Sequence, residues 1–368
     1  MFIFTNKAGS ATLIAACLHE ARGYFSLVIS LLVLFANSAL AAVDPQKSAA
    51  VDVVVDGGAI SGYFEKGLSI FKGVPYAAAP VGDLRWRAPQ SIKDWQGVKP
   101  TREYSAACLQ KSGTGLLDST TQLSEDCLYL NIWTKDIAPE RKMPVMVWIH
   151  GGSFVAGSAN VAAYDGSAFA KQGVVLVSFN YRLGNFGMFA HPALSKSNLE
   201  NMPNEPLGNY LIMDQLAVLQ WVQKNIEKFG GDPKNVTIFG ESAGGASVNA
   251  LLVSPASKHL FHRAISQSGT SRQILSEYSV RKRGRRRPSL EAQGERIVDA
   301  LDLDNSSDLV STLRKLPAVD ILQAAVAKAQ YFPSVDDGKL VPGHPSQIFE
   351  SGKYHKLPVI FGANSWEG

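Results

Sequence analysis

Residues 236–246 read Val236-Thr237-Ile238-Phe239-Gly240-Glu241-Ser242-Ala243-Gly244-Gly245-Ala246. The first four are β-branched or aromatic, as in a short strand buried on both faces. The apolar stretch 246–253 follows as a helix. Between them stands Gly240-x-Ser242-x-Gly244, which in this context reads as a strand-to-helix turn so sharp that its serine is held in strained backbone geometry. Glycines flank Ser242 because neighbouring backbone must approach closely there. The serine hydroxyl is then expected at the carboxyl end of a sheet, exposed and available as a nucleophile. The bare pattern arises often by chance, and the flanking strand and helix give it weight.

Further strands are read at residues 128–133, 145–149, 174–179, 264–266 and 358–361, each a short apolar run. A hairpin is read where 51–55 and 60–63 alternate around Gly57 and Gly58. Residues 214–229 place Leu216, Leu219, Val222, Ile226 and Phe229 at helical spacing, with Gly230-Gly231 as the stop. Strand, helix, strand recurs, so the expected architecture is α/β, a mostly parallel central sheet with helices on both faces. Directly after 145–149 comes His150-Gly151-Gly152-Ser153-Phe154. A serine attacking a carbonyl creates an oxyanion, and a His-Gly-Gly turn supplies backbone N–H donors for it. Gly151 and Gly152 are the expected donors, with Ala243, next to the nucleophile, as a third. An ordinary tight turn is the plainer alternative for a bare Gly-Gly.

The chain has 368 residues, of which 46% are hydrophobic and 18% charged, enough to bury a large core and inconsistent with a disordered tail. Its net charge of +4 is concentrated. Six basic residues lie in the run 281–287 (Arg281, Lys282, Arg283, Arg285, Arg286 and Arg287), and +4 less these 6 leaves −2 for the remainder. The run reads as a solvated loop, because no aromatics interleave with it and the rest of the protein is not basic; no nucleic-acid partner is expected. Residues 25–42, FSLVISLLVLFANSALAA, read as a secretory signal peptide cleaved after about Ala41. The apolar run 25–35 is 11 residues long, short of the ~20 that span a bilayer, so no stable membrane anchor is expected. The protein is expected to be secreted or periplasmic, with 1–41 as signal and 42–368 as one domain. Cys17 leaves with the signal, so Cys108 and Cys127 are the pair an oxidising compartment allows to join, two unpaired thiols being the alternative. No metal and no cofactor are expected, since two cysteines without a nearby histidine make no metal site.

The sequence resembles the type-B carboxylesterase/lipase family, relatives of the cholinesterases. The resemblance rests on Phe71-Lys72-Gly73-Val74-Pro75-Tyr76, Leu84-Arg85-Trp86, Ser124-Glu125-Asp126-Cys127-Leu128-Tyr129-Leu130-Asn131, Asn180-Tyr181-Arg182, Asp214-Gln215 and Phe229-Gly230-Gly231-Asp232-Pro233, in the family's order. It implies the α/β-hydrolase fold, a Ser-acid-His triad, a disulfide between Cys108 and Cys127, and an ion pair between Arg85 and Glu125. It also implies Glu367 as the triad acid, within Gly362-x-Asn364-x-x-Glu367-Gly368, where it would orient the histidine and stabilise the imidazolium. Asp337 is the second choice, although Val335-Asp336-Asp337-Gly338 resembles a structural turn of the family.

In this fold the chain order is Ser, acid, His, and no histidine follows Glu367. His150 belongs to the oxyanion turn; His191, His259, His262, His344 and His355 all precede the acid and match no family position. The expectation is therefore a domain lacking its C-terminal part and turning over poorly as it stands. The expected substrate is a small-molecule carboxylic ester, split through an acyl-enzyme on Ser242; the oligomeric state is not legible. A non-catalytic, adhesion-like binding protein on the same fold is the rival, disfavoured because Ser242 and both oxyanion glycines are present. Cholinesterase-type specificity is disfavoured too, because residues 109–126 contain no aromatic to build a cation-π wall.

Overall fold

Alternation around Gly57 and Gly58 does produce the hairpin: β1 (Ala50–Val55) and β2 (Gly58–Glu65) pair antiparallel with Val53 opposite Ile60. The computed structural model describes residues 49–113, 117–269, 288–304, 308–327 and 336–365. The segment expected as a signal peptide, the basic run 281–287 and Glu367 lie outside the described residues. The remaining strands are β3 (Leu68–Pro75), β4 (Val98–Pro100), β5 (Ala107–Cys108), β6 (Leu123–Ser124), β7 (Tyr129–Thr134), β8 (Met143–Ile149), β9 (Val175–Phe179), β10 (Gly231–Glu241), β11 (Arg263–Gln267) and β12 (Val359–Gly362). The helices are α1 (Ser167–Lys171), α2 (Gly184–Gly187), α3 (Pro192–Asn201), α4 (Tyr210–Asn225), α5 (Ala243–Val253), α6 (Leu290–Ala300), α7 (Leu309–Lys315), α8 (Ala318–Ala327) and α9 (Pro345–Glu350).

Among the described residues the main sheet runs β1-β2-β3-β7-β9-β8-β10-β11-β12, with β4 beside β2. From β9 to β12 every pairing is parallel, as the strand-helix-strand reading requires. From β1 through β9 the pairings β1-β2, β2-β3, β3-β7 and β7-β9 are antiparallel, so the parallel character belongs to the half that carries the serine turn. β3 is the longest strand that sequence patterning leaves unread, alongside the short β4, β5 and β6. Gly73 and Pro75 interrupt β3, and its register to β7 shifts between Phe71 and Val74.

Period-two alternation then divides the core into two layers. Val145, Val147 and Ile149 of β8, Val175, Val177 and Phe179 of β9, and Val236 and Ile238 of β10 face one side, packed under α4 and α5. Trp133, Leu176 and Phe239 face the other, with Ala170 of α1. α5 is buried along its whole length, as expected of a helix apolar on all sides. α4 continues as a tighter turn to Phe229 and stops at Gly230, which adopts φ 78°. A substituent on Gly230 would come within 2.2 Å of the Asp136 carbonyl, so the stop is also a close approach.

Two buried ion pairs tie loops to this frame. Arg182, just after β9, donates to both carboxylate oxygens of Asp214 on α4, at 2.7 and 2.8 Å, and the Arg182 N–H adds a third bond at 3.0 Å. Burial pulls the guanidinium pKa down, but the Asp214 charge and its hydrogen bonds outweigh this and hold it above its ordinary value. Arg85 forks onto Glu125 with two bonds of 2.7 Å, the ion pair that the resemblance implies. Its remaining nitrogen donates to the Leu313 and Leu316 carbonyls at the end of α7. Cys108 and Cys127 form a disulfide beside this pair.

Candidate active site

β8 and β10 are parallel neighbours with Ile149 opposite Gly240. The residues that leave their carboxyl ends therefore emerge side by side: His150-Gly151-Gly152 from one, Glu241-Ser242 from the other. Ser242 takes φ 54° and ψ −119° as the cap of α5, a conformation glycine adopts readily and serine does not. Packing explains why it persists. A Cβ on Gly244 would stand 2.0 Å from the Ile149 carbonyl oxygen, and one on Gly240 would stand 2.6 Å from Gly244. The turn is pinned on its other side as well. The Ser242 N–H donates to the Gln267 carbonyl at 2.9 Å, and Ser266 Oγ donates to the Gly245 carbonyl at 3.0 Å.

A Cβ added to Gly151 would lie 3.3 Å from the Ser242 Cβ, so the His-Gly-Gly turn closes directly over the serine. Gly152 has φ 104°, and Ser153 and Phe154 follow at 55° and 62°. Among the described residues the N–H groups of Gly151, Gly152 and Ala243 have no hydrogen-bond acceptor. Three unspent donors, the positive end of an eleven-residue helix and a half-buried serine hydroxyl thus share one place. Such an arrangement can receive a carbonyl, stabilise negative charge on its oxygen and accept its carbon on Ser242.

Four of the described histidines, His191, His262, His344 and His355, are held in other contacts. His191 and His344 accept N–H bonds at the starts of α3 and α9. His262 Nδ1 accepts from the Val236 N–H at 3.2 Å, and His259 is exposed after the end of α5. His355 Nε2 donates to the Ser254 carbonyl at 2.7 Å, at the far end of α5 from Ser242. Eleven helical residues at ~1.5 Å each put about 16 Å between them. His150 is buried, and desolvation drives its pKa down to about 4 against a smaller opposing effect from its bond to the Gly151 carbonyl. Asp337 accepts from the Lys339, Leu340 and Val341 N–H groups at 2.8, 2.7 and 3.2 Å and from Asn209, which makes it the anchor of a turn. Burial raises its pKa, and those bonds oppose the shift. β12 ends beside β11, where the Gly362 carbonyl accepts the Ser268 N–H at 2.7 Å. Glu367 follows five residues later, outside the described residues.

Sequence reasoning singled out Ser242 and the N–H groups of Gly151, Gly152 and Ala243 but missed the residues that hold these turns: Tyr181, which it quoted only within a motif, and Gln110, Ser266 and Gln267. Their contacts lie tens of residues away along the chain, and no local pattern marks them.

A serine forced into left-handed geometry between a parallel strand and a buried helix, facing a glycine turn from the adjacent strand, places the protein among the α/β-hydrolase folds. The chain belongs to the carboxylesterase family, whose model matches residues 48–368. It is 39% identical over 320 residues to the fumonisin B1 esterase of Sphingopyxis macrogoltabida, covering 84% of this chain and 55% of that protein. It is 38% identical over 323 residues to the para-nitrobenzyl esterase of Bacillus subtilis (strain 168), covering 84% and 62%. A crystal structure of a Geobacillus stearothermophilus carboxylesterase superposes with a TM-score of 0.73 at 36% identity, covering 85% of this chain and 61% of that one. The chain thus spans 55 to 62% of the length of these two curated relatives.

Proposed function

We propose that the protein hydrolyses small-molecule carboxylic esters through an acyl-enzyme on Ser242, with the Gly151, Gly152 and Ala243 N–H groups as the oxyanion site. The observation that carries this reading is the strained Ser242 lying 3.3 Å from where a Gly151 Cβ would stand, at the positive end of α5. Strain of that kind costs ~1 to 3 kcal/mol and persists where the surroundings over-determine it, as at functional sites. Family membership supports the same chemistry. Glu367 acts as the acid that orients the base. His191, His262, His344 and His355 are engaged in contacts of their own, His259 is exposed beyond the end of α5, and His150 spends its Nδ1 proton on the Gly151 carbonyl, so none of the described histidines is assigned as the base.

Export with cleavage after about Ala41 is part of the proposal, on the strength of the apolar run 25–35 and the small residues that follow it. The Cys108–Cys127 disulfide supports an oxidising compartment. Among the described residues no helix is long and apolar enough to cross a membrane.

The test is covalent. The native gene product, purified from exported material, should be labelled by a fluorophosphonate at Ser242, and Ser242→Ala should abolish both labelling and Ser-dependent hydrolysis of p-nitrophenyl acetate. A Ser242→Ala protein retaining more than about a thousandth of the parental rate would overturn the assignment, since sites stripped of a triad member keep only ~10³ to 10⁴ over water.

A further inference from the structure

The oxyanion turn presents its N–H groups because their peptides are held from behind. In a trans peptide the carbonyl and the N–H point in opposite directions, so whatever fixes one aims the other. The His150 carbonyl belongs to the peptide whose N–H is that of Gly151, and it accepts a hydrogen bond of 2.7 Å from the Tyr181 hydroxyl. The Gly151 carbonyl belongs to the peptide whose N–H is that of Gly152, and it faces His150 Nδ1 at 2.8 Å. A carbonyl only accepts, so Nδ1 carries the proton and Nε2 holds the lone pair. That Nε2 is buried without a partner. The ring's polarity is therefore spent on this one contact.

The two side chains also fix each other. The His150 and Tyr181 rings stack at 4.3 Å and 20°, and both residues are at most 1% exposed. The returning loop closes the arrangement at Gly157, where an added Cβ would stand 2.6 Å from His150 Nδ1 and 2.8 Å from the Gly151 carbonyl oxygen. Gly157 is itself held on both sides by Gln110, whose amide accepts from its N–H and donates to its carbonyl, each at 2.8 Å.

We infer that His150 and Tyr181 are positioning residues for the reaction at Ser242: they grip two consecutive carbonyls and thereby aim the Gly151 and Gly152 N–H groups at the developing oxyanion. The inference rests on the esterase reading of Ser242 and deepens it. Neither side chain touches substrate. Their contribution is preorganisation, which is realised as negative charge forms and leaves ground-state binding unchanged.

Tyr181→Phe keeps the stacked ring and removes the hydroxyl. Removing an oxyanion donor outright costs ~10² to 10³ in rate, so losing the grip on one carbonyl should slow the maximal rate constant for fluorophosphonate labelling of Ser242 by about 10-fold. The concentration giving half-maximal labelling should stay at the parental value while the Tm falls by only a few degrees, the cost of one buried carbonyl left unpaired; a merely structural role would not slow labelling beyond what that small loss of stability explains. His150→Phe should slow labelling at least as much, and His150→Asn, whose amide reaches the same carbonyl, should recover most of the loss. Parental labelling rates in Tyr181→Phe, or an equal loss in a control core variant chosen to have the same fall in Tm, would overturn the inference alone. A parent that is not labelled at Ser242 would overturn the esterase reading, and the positioning role with it.

Discussion

Of the described non-glycine residues in the left-handed region, two offer a contrast between the halves of the sheet: Lys66 (φ 50°) between β2 and β3, and Ser242 (φ 54°) between β10 and α5. At Lys66-Gly67 both residues have positive φ, the combination that matches the right-handed twist of a two-residue hairpin. The turn is exposed, and an added Cβ on Gly67 would meet nothing within 4 Å. At Ser242 the glycines stand against backbone on both sides. The same dihedral is thus a convenience of strand geometry in one place and a condition imposed by packing in the other. Left-handed φ by itself says little about function; crowding around it says much more.

The contrast is tested hardest at Gly244. Its Cβ would sit 2.0 Å from the Ile149 carbonyl oxygen, in the centre of the sheet where β8 cannot yield. Gly244→Ala should therefore destabilise by about 3 kcal/mol or more, at the top of the usual range for overpacking. Gly67→Ala meets no clash and keeps only the local cost of a positive φ. Urea unfolding of both variants measures the difference, and a Gly244→Ala midpoint near the parental one would mean that the elbow is open.

The next effect comes from His150, buried by the same closure. Its folded pKa of about 4 lies below the ordinary 6.5 because burial disfavours the charged ring. Below pH 6.5 the unfolded chain takes up a proton there that the folded protein refuses, so stability falls as pH drops from 6.5 towards 4 and the contribution levels off below that. At 1.36 kcal/mol per unit the loss amounts to roughly 3 kcal/mol. Carboxylates titrate in the same window, so the measurement is the difference between parent and His150→Asn. The variant should lack this part of the acid sensitivity, and parallel stability curves would show that the ring titrates freely.

How far the sequence reached follows the same division. The β10-turn-α5 unit, the β1-β2 hairpin, the strands of the parallel half and the Gly230 stop are legible because each rests on contiguous apolar periodicity or on one required glycine. The antiparallel pairing around β3 is not, since a bulged strand with Gly73 and Pro75 carries no clean alternation. Helices α6 to α8 are also unread, for their apolar faces match a core that only the folded chain defines. At the site, Ser242, Gly151, Gly152 and Ala243 follow from local pattern. The grip of Tyr181 on the residue 31 positions before it and the Arg182–Asp214 pair 32 apart are products of topology, and a single sequence without its fold does not display them.

The smallest effects separate the two turns most directly, because they ask what each left-handed residue costs. Ser242→Gly removes a side chain from a conformation whose strain is ~1 to 3 kcal/mol, while glycine adds ~0.5 to 1 kcal/mol of unfolded-state entropy. The net gain in stability should be about 1 kcal/mol, accompanied by complete loss of labelling at residue 242. Lys66→Gly relieves a milder strain in an open turn, against the same entropy, so its stability should stay within ~0.5 kcal/mol of the parent. Thermal unfolding of the two variants side by side reads the comparison. If Lys66→Gly gained as much as Ser242→Gly, the strain at the elbow would be no more than any left-handed residue carries, and the argument that packing imposes it for catalysis would fail.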